Sequence, residues 1–362
     1  MISEAGMMVL REIPKGLLGS GNTAYGGVVR DAAGKIVAHL AMPTASVAAV
    51  APGGPIAMAS AAVAAASGLV SNAQLVSLSK DVHQVLEVAM AGTALAGLGL
   101  ATSIVGFVYL SRRIDQIDDK LNALNVAVKK VQQILESTQQ SSLLSAIDTY
   151  KLAGETDDVG KQQALLMTAR GSFSKLTHHY KLQLKNLDEL AEIEVAEGYF
   201  VVACLGNAVC TSDLGMWEAS AKDLRRHYVD WQSLARLHCA NLLDLESPTR
   251  LLEGKYVDDL PAAELIDVLE FANAEERGVA WLDELRRPLG EFKLPDFGSI
   301  EKPNIQFAKA LSARNKVLNS FAAHFDFLAA KKVPATAFSR ALEERTKEDC
   351  VVINWLDRPV AA

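Results

Sequence analysis

The chain has 362 residues, of which half are hydrophobic and only 6% aromatic, and its formal net charge is −7. This length accommodates two or three domains, and the acidic balance excludes a nucleic-acid binder that depends on overall electrostatic attraction. No Lys/Arg block with interleaved aromatic residues restores such a role locally, so we expect no nucleic acid among the partners. The four cysteines are scattered, without a CxxC pair, which favours core thiols in a reducing compartment.

The N-terminal segment, residues 1–35, is rich in glycine and contains four basic residues but no apolar h-region. It therefore lacks the pattern of a signal peptide, which predicts synthesis in the cytoplasm. The residues from Gly27 to Leu40 predict a small β-hairpin that turns at Asp31–Gly34. Near the other end, Cys350–Leu356 is typical of a short strand, which we expect to pair with this hairpin.

Residues 36–111 are interpreted as an apolar hairpin that interacts with a membrane. Ile36–Ser79 contains no Asp, Glu, Lys or Arg and is divided by the breaker Pro52-Gly53-Gly54-Pro55. Ile56–Leu78 is long enough to span a bilayer but is only weakly hydrophobic, because it consists largely of Ala together with Ser, Gly, Asn and Gln. It fits either a membrane helix that enters with partners or a segment buried against protein in a stored state.

The segment Val88–Ser111 is the best transmembrane candidate, with 24 uncharged residues. It is closed by the interfacial residues Tyr109, Arg112 and Arg113, and the two arginines favour a cytoplasmic C-terminal side. The alternative is a buried hairpin in a large helical core. A chain of this kind would move from the cytoplasm to the inner membrane, while secretion without a signal peptide stays open.

One seam of packing residues at spacings of three and four runs through this segment and beyond it. Its first half is small, which suits close helix packing in lipid, and its second half is aliphatic, which suits a coiled coil in water. The residues of the membrane half of the seam are Ala89, Gly92, Ala96, Gly99, Ser103, Gly106 and Leu110. The coiled-coil residues are Ile114, Ile117, Leu121, Leu124, Val128, Val131 and Leu135. We expect one helix that leaves the bilayer and continues as a stalk over residues 112–140, in a homo-oligomer.

Residues 141–362 predict a soluble helical domain that offers a surface for a protein partner. The expected helices cover Ser142–Ala153, Lys161–Glu197, Gly215–Leu245, Ala262–Leu285, Pro303–Ala330 and Thr336–Glu348. Gly198–Ser212 is uncharged and apolar, but its 15 residues are too few to span a membrane, so we interpret it as a buried helix end. The predicted fold class is therefore all-α: an apolar hairpin, a long coiled-coil helix and a helical bundle, with a small N-terminal β-hairpin.

No motif predicts an enzyme. His178 and His179 are adjacent on a helix, so their rings point about 100° apart and are not placed to share a metal ion. His238 and Cys239 are neighbours in the same way and do not align as base and nucleophile. We expect no catalytic residue, no metal and no cofactor.

The weak apolar hairpin followed by a long amphipathic helix resembles the helical pore-forming toxins of the haemolysin E type. The junction from Val105 to Asn122 is also similar to that of bacterial defence effectors that depolarise their own cell. Both resemblances cover about residues 36–135 and imply a protein that inserts into a lipid bilayer and permeabilises or depolarises it. The alternatives are a membrane-tethered coiled-coil scaffold or signalling adaptor without pore activity, and a soluble helical protein that never meets lipid.

Overall fold

A computed structural model describes residues 7–10, 23–25, 28–33, 35–41, 137–245, 248–287, 300–338, 341 and 351–355. Within these ranges the chain is mainly helical, with one small antiparallel sheet, which confirms the predicted all-α class with its N-terminal hairpin. Residues 42–136 lie outside the described residues, and with them most of the expected membrane hairpin and nearly all of the stalk.

The helices form a bundle whose members bury one another's apolar faces. In chain order they are α1 (Ser137–Glu155), α2 (Val159–Leu184), α3 (Leu190–Asp213), α4 (Trp217–Leu243), α5 (Ala262–Asn273), α6 (Ala280–Arg286) and α7 (Lys302–Lys331). Short 3₁₀ turns at Pro248–Leu252 and Gly254–Tyr256 precede α5. A single hydrophobic cluster joins these helices to Ile36 of the sheet.

The predictions of one continuous helix over Lys161–Glu197 and of another over Ala262–Leu285 are wrong, because each range is divided between two helices in the structure. The chain leaves α2 after Leu184 and begins α3 at Leu190. The Asn186 side chain donates to the carbonyl oxygen of Leu182, which satisfies a helix-end acceptor and favours termination there. Between α5 and α6 the left-handed φ of +55° at Gly278 turns the chain, and the Gly278 amide donates to the carboxylate of Glu270.

The sheet combines both ends of the chain. Its strands are β1 (Met7–Leu10), β2 (Thr23–Tyr25), β3 (Val28–Arg30), β4 (Ile36–Ala41) and β5 (Val351–Trp355), in the order β1-β5-β4-β3-β2. The β3–β4 hairpin turns as predicted, since the Asp31 carboxylate accepts from the amides of Ala33 and Lys35. The pairing of the terminal strand with this hairpin is also confirmed, through β5 against β4.

The apolar stretch Gly198–Ser212 is the C-terminal part of α3, which lies at the centre of the bundle. Within the described residues α3 has the length and composition to cross a membrane, at a mean hydropathy of 1.4, but 89% of its most apolar window is buried in the protein. The interpretation of this stretch as a buried helix end is therefore confirmed. Its apolar character is accounted for by the core.

Candidate functional site

The predicted site residues Ala89–Leu135, including the interfacial Tyr109, Arg112 and Arg113, all lie outside the described residues. The structure does fix the two elements from which that part of the chain leaves and to which it returns. β4 precedes that part of the chain and contains the first six residues of the uncharged stretch Ile36–Ser79. α1 follows it. β4 ends one residue beyond the predicted hairpin end at Leu40, so residues 36–41, the start of the stretch interpreted as a membrane hairpin, belong to the sheet. The surface where this sheet meets the bundle therefore adjoins both ends of that part of the chain in sequence.

The sheet packs against α7 through a cluster of aromatic rings, here called the histidine junction. It consists of His39 from β4, His324 and Phe327 from α7, and Phe338 from the helical turn at 335–338. The His39 ring centroid lies 5.8 Å from that of His324 and 5.1 Å from that of Phe327. The Phe338 ring lies 5.5 Å from His39 and 5.1 Å from His324, so the four rings form one cluster.

Both histidines of the junction are buried, with exposed fractions of 0% for His39 and 3% for His324. Burial removes water from the charged form and so lowers the pKa of His324 to about 3. The pKa of His39 is lowered well below its ordinary value by burial, and further by the nearby His324. Both rings are therefore neutral at pH 7, and neutral imidazoles can pack among phenylalanines as aromatic rings.

A buried ion pair lies at the centre of the bundle, where α3, α4 and α7 meet. The Arg314 Nη1 atom donates to the Glu197 Oε2 atom at 2.5 Å, and the Trp231 indole donates to Glu197 Oε1 at 2.7 Å. Burial raises the pKa of Glu197, and the Arg314 charge opposes this shift. Because all three side chains are almost fully enclosed, we interpret the group as a specific core contact.

His238, Cys239, Cys204 and Cys210 are packed within the helical bundle. The His238 Nε2 atom lies 2.8 Å from the carbonyl oxygen of Leu184, so this ring joins α4 to the end of α2. Burial raises the pKa of the adjacent Cys239 thiol to about 12, which keeps it protonated and unreactive. Cys204 and Cys210 are buried as well, as expected for core thiols. Across the described ranges no group of three or more His, Cys, Asp or Glu side chains is placed to hold a metal ion.

An open groove of about 650 Å³, here called the basic groove, lies between the β3–β4 hairpin and the C-terminal half of α7. The charged residues that line it are Arg30, Lys35, Arg225, Lys331 and Asp326. Arg225 and Asp326 form an ion pair with each other. The groove thus carries three further cations, supplied by two elements that are far apart in the sequence. Neither the groove nor the histidine junction was predicted, since no local motif brings Arg30 and His39 to α7.

No known protein family matches the chain, and neither a curated protein nor a solved structure is significantly similar to it.

Proposed function

We propose that the chain is an oligomeric, membrane-inserting helical protein that permeabilises or depolarises a bilayer. The observation that carries this proposal is the uncharged segment Val88–Ser111, which ends at Arg112 and Arg113. As a helix its 24 residues would measure about 36 Å, against about 30 Å of hydrocarbon. With the arginine pair on the cytoplasmic side, the helical body would face the cytoplasm of the cell that makes it.

The composition of this segment favours insertion that needs helix partners. Nine of its residues are Leu, Ile, Val or Phe. Each contributes roughly −0.3 to −0.6 kcal/mol at the centre of a membrane helix, or about −3 to −5 kcal/mol together. Gly92, Gly97, Gly99 and Gly106 add little hydrophobicity, but they permit close approach of helix backbones. Such contacts add to the stability of the helix in lipid when several copies pack together, which suits an oligomer.

The test uses the full-length chain with vesicles, measuring both flotation with lipid and release of an enclosed dye. Gly99 and the adjacent Leu100 lie at the middle of the segment. Substitutions at these two positions distinguish membrane insertion from permeabilisation. We expect Leu100→Asp to abolish flotation and release, since a central Asp costs about 2.5–3.5 kcal/mol. We expect Gly99→Leu to float normally but to release little dye, because the larger side chain separates the packed backbones.

The matched control is Gly171→Leu on α2, where the glycine is exposed and an added Cβ meets no atom within 4 Å. This variant should behave like the unaltered chain. If the unaltered chain floats without releasing dye, it is a membrane tether and the scaffold alternative replaces permeabilisation. If it does not float at all, the membrane proposal is wrong.

A further inference from the structure

We infer that the basic groove binds the phosphate headgroups of anionic lipids and so holds the helical body against the membrane. This inference rests on the proposed function, because it names the kind of membrane surface on which the chain would act. It is carried by the placement of Arg30, Lys35 and Lys331 around one open groove.

Arg30 is the groove cation whose side chain is held by hydrogen bonds to α7. It is half-buried at the end of β3, where its Nη2 atom lies 3.4 Å from both the Asn319 carbonyl oxygen and the Ser320 hydroxyl. Within the described ranges no carboxylate lies within 4 Å of its guanidinium, and its buried Nε atom has no hydrogen-bond partner. A phosphate is the ligand that a guanidinium held in this way recognises best.

The surroundings of Arg30 increase the positive potential. Burial lowers the pKa of Arg30 and the nearby charge of Arg225 lowers it further, while Tyr228 opposes this shift. Lys331, at the opposite rim, lies over the Phe327 ring, with its Nζ atom 5.9 Å from the ring centroid. The only carboxylate lining the groove in the described part of the chain, that of Asp326, is already paired with Arg225.

A lipid surface is the occupant that the location of the groove favours. The groove includes Ile36 and Val37 of β4, and β4 is the strand from which the chain enters the uncharged segment. The whole chain carries a net charge of −7, so a negatively charged surface repels most of it. A local basic groove therefore orients the protein, with this face toward the anionic leaflet.

The experiment compares flotation of the full-length chain with neutral phosphatidylcholine vesicles and with vesicles containing 30% phosphatidylglycerol. The test variant is Lys35→Gln combined with Lys331→Gln, and the control is Lys175→Gln combined with Lys185→Gln, two exposed positions on and just after α2. Each lysine near an anionic surface contributes about 5-fold to binding. We therefore expect the test variant to bind anionic vesicles about 25-fold less well, with binding to neutral vesicles unchanged.

The outcomes separate this inference from the proposed function. Equal binding of test and control variants to anionic vesicles overturns the groove as a headgroup site, while dye release by both would leave the membrane function standing. Calorimetric titration with inorganic phosphate is the second arm. Saturable submillimolar binding that the test variant loses would identify a soluble phosphate ligand and overturn the lipid assignment.

Discussion

Acidification should weaken the attachment of the sheet to α7, because the histidine junction packs two buried, neutral imidazoles against phenylalanines. When the sheet separates from the helix, His39 and His324 meet water and regain an ordinary pKa of about 6.5. The folded state resists protonation because the pKa values of both rings are lowered by burial. The separated or unfolded state therefore binds more protons as the pH falls.

The sign and size follow from proton linkage. Above pH 6.5 both states hold neutral histidines, so stability does not depend on these two groups. Below pH 6.5 the open state gains about 1.4 kcal/mol per histidine for each pH unit, until the folded pKa is reached. At pH 5.0, still far above the value of about 3 for His324, this amounts to about 2 kcal/mol for the His324 ring. The His324 ring alone therefore favours opening by roughly 30-fold, and the lowered pKa of His39 acts in the same direction.

The assay measures the free energy of unfolding in urea at pH 7.5 and pH 5.0 for the unaltered chain and for His324→Phe. The substituted ring keeps the aromatic packing with Phe327 and Phe338 but cannot titrate. We expect the variant to lose about 2 kcal/mol less between the two pH values. His324→Gln serves as a second variant in case the larger phenylalanine disturbs the packing, and the exposed His178→Phe is the control.

Other groups also titrate, so the comparison between variants is the decisive quantity. Burial lowers the pKa of His238, which adds loss of stability in acid, and raises the pKa of Glu197, which acts in the opposite direction. These contributions are common to the unaltered chain and the variants and cancel in the difference. If His324→Phe and His324→Gln both keep the full pH dependence, the junction does not exclude protons and the reasoning fails.

Three further changes test the packing described above. Gly206→Ala should lower the free energy of unfolding in urea by about 1–3 kcal/mol, because the new Cβ would lie 2.7 Å from the Phe173 ring. Glu197→Ala should lower the free energy of unfolding by about 3–5 kcal/mol, because it leaves the Arg314 charge buried and unpaired. Glu197→Leu combined with Arg314→Met should recover most of this loss, because it removes both charges. Leu121→Asp should change the oligomer size in gel filtration, since it places a charge in the predicted coiled-coil seam; an unchanged size would contradict that seam.

The features that sequence could predict are those set by neighbouring residues. The turn after β3 depends on one side chain, that of Asp31, bonding to amides two and four residues on, and so the hairpin was predictable. The bounds of α7 follow in the same way from a proline in its first turn and another after its end. The division between α2 and α3 was missed because no glycine or proline marks it. There the chain turns at Lys185–Glu189, residues that an exposed helix face also accepts.

The features that sequence could not predict depend on contacts between distant segments. His39 lies in a six-residue strand with no charged neighbour in it, and only the arrival of His324 from α7 makes it part of a buried pair. In the sequence, Arg30 has no feature that distinguishes it from other hairpin residues. Its contacts with Asn319 and Ser320 are evident only in the folded structure. Such positions carry no local period, because the partner that decides their role is almost 300 residues away.

The contrast between α3 and Val88–Ser111 shows which sequence signal bears on the membrane proposal. Both are apolar, so composition alone does not distinguish a core helix from a membrane helix. In the buried part of α3, the Glu197 carboxylate forms an ion pair with Arg314, and the Thr211 hydroxyl accepts a hydrogen bond from Arg170. Each of these two side chains needs a specific partner inside the protein. Val88–Ser111 contains no charged residue, and its hydroxyl residues are Ser, Thr and Tyr, which can bond within a helix or at the interface. Such a segment contains no side chain that needs a specific polar partner inside a protein, so it can be surrounded by lipid. Membrane insertion is therefore a stronger hypothesis for Val88–Ser111 than for α3.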